Sequence, residues 1–142
     1  MNAWTGAGYT EPETLQTDDT LFSTTFEFPW TTAPLSMNQR IHRMQEARVQ
    51  KELRTLMHAK ARHIPELERC EVRLVWFVKD RRTRDDENIV ATLKPLCDGL
   101  VDAEVVPDDT REFMVKHMPE IRYVKGCTPH FELTVTELRA DA

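Results

Sequence analysis

Residues 72–78, Val-Arg-Leu-Val-Trp-Phe-Val, constrain the fold more than any other stretch of the chain. Val72, Leu74, Trp76 and Val78 alternate with Arg73, Val75 and Phe77, and both sets are largely apolar. A strand with one wet face shows apolar residues on one side only. Apolar residues on both sides predict a strand inside a sheet, covered above and below. With 142 residues, 40% of them hydrophobic, the chain can build one core of that kind and not two. The same stretch holds the longest apolar run, Leu74–Val78, far short of the ~20 residues a membrane helix needs. No membrane partner is expected.

Neighbours for that strand are readable on either side. Phe22, Phe26 and Phe28 alternate with polar residues, which predicts a first strand from Ser23 that ends at Pro29. Ile41, Met44, Val49, Leu53, Leu56 and Met57 follow helical spacing to about Ala61, without glycine or proline before Pro65. Ser36 with Gln39 forms a capping-box pair for its start, and Asn38 is a rival cap. Ile89, Leu93, Leu96 and Leu100 predict a second helix from Asn88 to about Val101, kinked at Pro95. Residues 112–117, 121–125 and 131–138 read as antiparallel strands with a turn at Lys125-Gly126-Cys127-Thr128-Pro129. The order β-α-β-α-β-β describes an α+β domain with a mixed sheet and two main helices over residues 23–142. Residues 1–22 lack an apolar period and are expected to be a flexible acidic tail.

Composition removes several kinds of chemistry. The N-terminus shows neither a basic start nor an apolar stretch, so no secretory signal is expected. Three cysteines without a Cys-x-x-Cys pair fit a reducing cytoplasm better than a disulfide framework or zinc ribbon. Four glycines cannot supply a P-loop or dinucleotide fingerprint, and neither Ser23 nor Ser36 lies in a Gly-x-Ser-x-Gly context. His42, His58, His63, His117 and His130 have no zinc-ligand spacing, so none is expected to bind metal. Trp76 is read as core, Trp30 as packing at a strand end. Tyr123 and Lys125 fit either an edge strand or a DNA contact.

The net charge of −5 conceals segregation. Residues 1–30 carry five acids and no lysine or arginine, residues 31–84 thirteen bases against six acids, and residues 85–142 thirteen acids against six bases. Such blocks suit solvated faces, and they equally suit a polyanion held by cations on one side and metal-bridged acids on the other. Two acidic groups stand where chemistry would need them. Asp85, Asp86 and Glu87 lie between a strand end and a helix start, and Asp108 and Asp109 follow that helix. A helix dipole favours acids at its N-terminus and by itself accounts for Asp86 and Glu87. It does not account for Asp108-Asp109, or for Arg81-Arg82-x-Arg84 just upstream. Hard cations such as Mg²⁺ take oxygen ligands, and phosphodiester hydrolysis needs both a metal and cations to seat phosphates.

The stretch Arg81-Arg82-Thr83-Arg84-Asp85-Asp86-Glu87-Asn88 resembles the Arg-rich Asp-x-Asp-Asn signature of RusA-family Holliday-junction resolvases. The resemblance continues through Lys94-x-x-x-Asp98-Gly99-Leu100 and Val105-Val106-Pro107-Asp108-Asp109. Phe28-Pro29-Trp30 with Ser36-Met37-Asn38-Gln39-Arg40 is similar to the family's first strand and Asn-containing turn, and Phe131–Glu137 to its final strand. About residues 24–138 are covered. The resemblance implies a homodimeric, Mg²⁺-dependent endonuclease of four-way DNA junctions, with Mn²⁺ as an alternative ion, in a bacterial or phage-infected cell. It assigns metal binding to Asp85, Glu87 and Asp109 with Asp108 close by, and the catalytic lysine to Lys94. Arg81, Arg82, Arg84, Asn88, Asn38 and Arg40 would contact DNA. Three departures stand out: Glu at position 87, a longer Asn88–Lys94 interval, and Glu104 where a small turn residue is expected. Two other readings compete, a junction-binding architectural protein without turnover and an acidic interaction module.

Overall fold

The computed structural model describes residues 21–139. Five strands and two helices run in the order β1 (Ser23–Phe28), α1 (Arg43–Ala61), β2 (Cys70–Val78), α2 (Val90–Asp102), β3 (Met114–Lys116), β4 (Glu120–Tyr123) and β5 (His130–Glu137), with one 3₁₀ turn, Asp86–Ile89, leading into α2. The molecule is an α+β protein with a mixed sheet and two helices. The paired chain begins at Phe22, whose N–H donates to the Glu137 carboxylate at 2.9 Å. The expected tail otherwise lies outside the described residues.

The sheet is ordered β1-β5-β2-β3, with β4 also beside β2. β2 is central, as its sequence predicts. It pairs antiparallel with β5 on one edge and parallel with β3 and β4 on the other. The expected antiparallel run over 112–125 is therefore corrected. From β2 the chain crosses through α2 and re-enters at Met114 beside Cys70, a parallel return. β3 and β4 act as one interrupted strand: the His117 N–H still reaches the Val72 carbonyl at 3.1 Å before Pro119, which has no N–H to offer. The turn at Gly126 exists, with Gly126 at φ 78°, but it carries the chain over the end of β2 and not between hairpin neighbours.

Both helices cover one face of the sheet. Leu53, Met57 and Ala61 of α1 and Leu93, Leu96, Cys97 and Leu100 of α2 are buried on Phe26, Phe28, Val72, Leu74, Phe131, Leu133 and Val135. The other face of β2 is not covered. Val75 and Phe77 are half-buried there among Glu132, Glu120, His130 and Arg122. Their apolar character reflects contact with neighbouring strands, such as the stacking of Phe77 on His130, and not a second layer. The two helices approach closely at Gly99, where a Cβ would come within 2.6 Å of the Arg54 carbonyl and of Met57.

α1 starts later than its sequence suggests. Its cap is His42, whose Nδ1 accepts from the Met44 N–H at 3.1 Å. Ser36 donates to Asn38 instead of capping. The reason is tertiary: Leu35 exchanges two hydrogen bonds with the buried Thr92 hydroxyl, and the Met37 N–H donates to the Asn88 carbonyl at 2.9 Å. The 35–38 segment is thus held on the start of α2. Met44 is 72% exposed, so the apolar stripe of α1 begins at Val49.

Candidate functional site

The capture of residues 35–38 by α2 builds one wall of a groove of about 1300 Å³. Ser36, Asn38 and Gln39 line it from that wall, Arg84, Asp85, Asp86 and Asn88 from the connection after β2, and Met118, Pro119 and Glu120 from the break between β3 and β4. Trp76 forms part of its floor. Asn38, Arg84, Asp85, Asp86 and Asn88, each singled out in the sequence, therefore meet.

The loop from Asp80 to Asp85 owes its shape to Arg84. Its guanidinium donates to the Asp80 and Arg82 carbonyls, both at 3.2 Å, and to the Asp80 carboxylate at 2.9 Å, and it lies over the Trp76 ring. The Arg82 N–H and the Arg84 guanidinium together hold the Asp80 carboxyl below the usual carboxylate range. Arg84 is 16% exposed and its donors are used within the loop, whereas the Arg82 side chain is 77% exposed. Arg81 lies over the Tyr123 ring at 4.7 Å. Asp85 caps the 3₁₀ turn by accepting from the Glu87 N–H at 3.0 Å.

The second acidic group forms a separate cluster. The Asp109 carboxylate accepts from Lys94 at 2.8 Å and from Lys116 at 3.4 Å, and Lys94 also reaches Asp98 at 3.0 Å. The bond from Lys94, aided by Lys116, keeps Asp109 below its ordinary pKa, and the two carboxylates raise Lys94 in turn. Asp108 accepts from the Asp109 N–H at 2.8 Å. Asp98 stands out in the sequence only as the partner of Lys94 in the Lys94-x-x-x-Asp98 motif, an i+4 helix spacing, and Lys116 carries no local signal beyond its strand position.

Asp85 and Asp109 were expected to share a metal with Glu87. Glu87, Asp108, Asp109, Lys94, Arg81, Arg82 and Arg40 are not among the groove's lining residues. The donor chemistry, carboxylate and amide oxygens, fits a hard cation such as Mg²⁺. Among the described residues, the set of three ligand atoms lying within 4.8 Å of one another is a different one, Glu27, His130 and Glu132. The Thr128 carbonyl and then the Glu132 carboxylate push the His130 imidazole above its usual pKa.

No protein-family model and no curated protein matches the chain. Among solved structures it is similar to the hydrogenase maturation protein HypE in complex with ATP, at 11% identity and a TM-score of 0.31, over 92% of this chain and 34% of that one. A second structure of HypE matches at 9% identity and the same TM-score, over 94% and 36%. The chain spans about a third of the length of these matches. Likenesses of that size carry no argument about function. Among the described residues, no helix is long and apolar enough to cross a membrane.

Proposed function

We propose that the protein is a Mg²⁺-dependent, structure-selective DNA endonuclease that resolves four-way junctions by paired nicks, with Mn²⁺ as an alternative ion. It would act as a homodimer in the cytoplasm of a bacterial or phage-infected cell. One observation carries this reading: Asp85 and Asp86, the amides of Asn38 and Asn88, and Arg84 of the arginine-rich loop line a single groove. Acids alone suit a solvated helix start, and arginines alone suit any polyanion. Phosphodiester cleavage needs them side by side.

By the resemblance, Asp85, Glu87 and Asp109 would hold the ion with Asp108 close by, Asp85 being the one of these that lines the groove; when bound, the ion would acidify a water for attack on phosphorus. Lys94 keeps Asp109 ionised and oriented, and its ammonium is available to a phosphate that gains charge. Arg81 and Arg82 seat the flanking phosphates, and Arg84 shapes the loop that presents them. Asn38 adds contacts from the opposite wall and Asn88 from beside Asp85, with Arg40 a further contact outside the groove's lining.

The pairing of Asp109 with two lysines favours a second reading, a junction-binding protein that holds branched DNA without cutting it. A synthetic four-way junction with and without Mg²⁺ separates the two. Paired nicks that vanish in EDTA support the nuclease. Retained binding without nicks supports the architectural protein, and absence of both overturns the DNA reading.

A further inference from the structure

We propose that Glu27, His130 and Glu132 form a binding site for a first-row divalent transition cation, which clamps the edge strand β1 to β5. The site lies on the outer face of the sheet. Glu27 alternates with buried Phe26 and Phe28, and Glu132 with buried Phe131 and Leu133, so the three side chains point away from the helices and the groove's floor.

The pairing register creates the site. Glu27 and Glu132 are direct cross-strand partners, a like-charge pair that disfavours the sheet unless a cation answers it. His130 stands two residues from Glu132 on the same face, with Nε2 at 3.1 Å from the Glu132 carboxylate and 3.8 Å from that of Glu27. The imidazole is fixed from outside this trio. Nδ1 lies 2.7 Å from the Thr128 carbonyl, so Nδ1–H is the donor, and the ring stacks on Phe77 at 4.7 Å. Nε2 bonds in turn to the Glu132 carboxylate, which can only accept, so without an ion this nitrogen is also protonated, and a bound cation takes the place of that proton between the two carboxylates. A carbonyl that holds one ring nitrogen and so aims the other at the ion is how metal-binding histidines are oriented. Arg122, which lies over Phe77, does not answer the carboxylates, because Glu120 takes its charge at 2.9 Å.

The donor set selects the class of ion. One imidazole nitrogen with two carboxylate oxygens suits Zn²⁺ and its neighbours, while Mg²⁺ prefers an all-oxygen shell. Ligands at about 2.05 Å around a tetrahedral ion lie about 3.3 Å apart. The 3.1 and 3.8 Å separations bracket that value. Three protein ligands leave one position to water, and the ion joins two strands that also meet through backbone bonds and the hydroxyl pairs Ser23–Thr136 and Thr25–Thr134.

The full chain, stripped with EDTA and dialysed, is titrated with Zn²⁺ alone by calorimetry, and its melting is followed. The expected result is one ion per chain and a melting temperature raised by about 5–10 °C at a hundredfold excess over Kd. His130→Ala loses the site, Glu27→Gln weakens it by at least about tenfold, and Glu46→Gln, at an exposed position of α1, binds as the parent does. The proposal is overturned if the parent takes up no Zn²⁺ at micromolar concentrations, or if His130→Ala binds as tightly as the parent. Glu27, 72% exposed, keeps the test decisive should His130→Ala fail to fold: equal affinity in Glu27→Gln and the parent also overturns it. DNA cleavage is not read at any step, so failure here leaves the nuclease reading untouched.

Discussion

Single side chains test the proposed catalysis apart from the architecture of this protein. Asp109→Asn removes a proposed metal ligand and also releases Lys94 and Lys116 from a carboxylate. Junction cleavage should fall by about a hundredfold or more while junction affinity stays the same or rises. Asp85→Asn should behave similarly, and parallel loss of binding and cleavage in a folded protein would exclude these roles. The arginines divide differently. Arg82→Ala should flatten the dependence of log affinity on log salt by about one unit, with melting unchanged. Arg84→Ala should lower the melting temperature, because it removes the bonds that shape the loop and the contact with Trp76. Thermal melting beside a salt series tells the two apart. From the sequence Arg81, Arg82 and Arg84 look equivalent; only the fold shows which one turns inward.

A pH effect also lives at this scale. Asp102 accepts two bonds from Arg54, one of them at 2.9 Å, and these hold its carboxyl below the usual range. A carboxyl depressed in the folded state stabilises above its unfolded pKa of about 3.9, and the contribution is lost as pH falls through the folded value. Asp102→Asn should therefore lower stability near pH 7, with the difference from the parent shrinking as pH falls below about 3.9. Arg54 is half exposed, and solvent screening limits the loss to about 1 kcal/mol or less. Melting curves across that range would reveal any cost that persists in acid.

Elements were legible where their signal is periodic and local, and not where a partner decides. The interior position of β2, the end of α1 at Ala61 and the span of α2 follow from apolar spacing. The direction of β3 and β4 does not, since short strands without a tight hairpin turn carry no mark of which neighbour they join. The start of α1 was misread because Ser36 and Asn38 carry a valid local cap whose segment is held by Thr92 and Asn88. Glu104 was flagged correctly as an unexpected residue. It sits at φ 63°, directly after α2, in a turn where the Glu104 N–H bonds to Val101 and the Val105 N–H to Leu100. This is the position that glycine favours at a helix end. Glu104→Gly should raise stability by about 0.5–1 kcal/mol, the left-handed strain relieved exceeding the added freedom of the unfolded chain. Chemical denaturation measures it, and a lower midpoint would refute the strain.

For the molecule as a whole, one groove per chain sets the terms. Resolution of a four-way junction requires two incisions related by the junction's own pseudo-symmetry, which a C2 dimer supplies. Sedimentation should show a homodimer at micromolar concentration without DNA, with nicks placed symmetrically on the junction. A monomer giving single unpaired nicks would point to simpler branched DNA as the substrate. The Glu27–His130–Glu132 trio belongs to this scale too. No spacing rule could find it, because its ligands come from strands near opposite ends of the described chain and meet only through register.

The position of β5 between β1 and β2 has a consequence for how the protein is made. A ribosome delivers Ser23–Phe28 first and His130–Glu137 last, yet among the described strands the early segment pairs only with the late one. Until His130–Glu137 has left the exit tunnel, β1 has no partner and one edge of the apolar β2 stays open. Folding during synthesis cannot close the sheet piece by piece. The nascent chain waits with one edge of its most apolar strand open, and the final insertion completes both edges of β5 in one step.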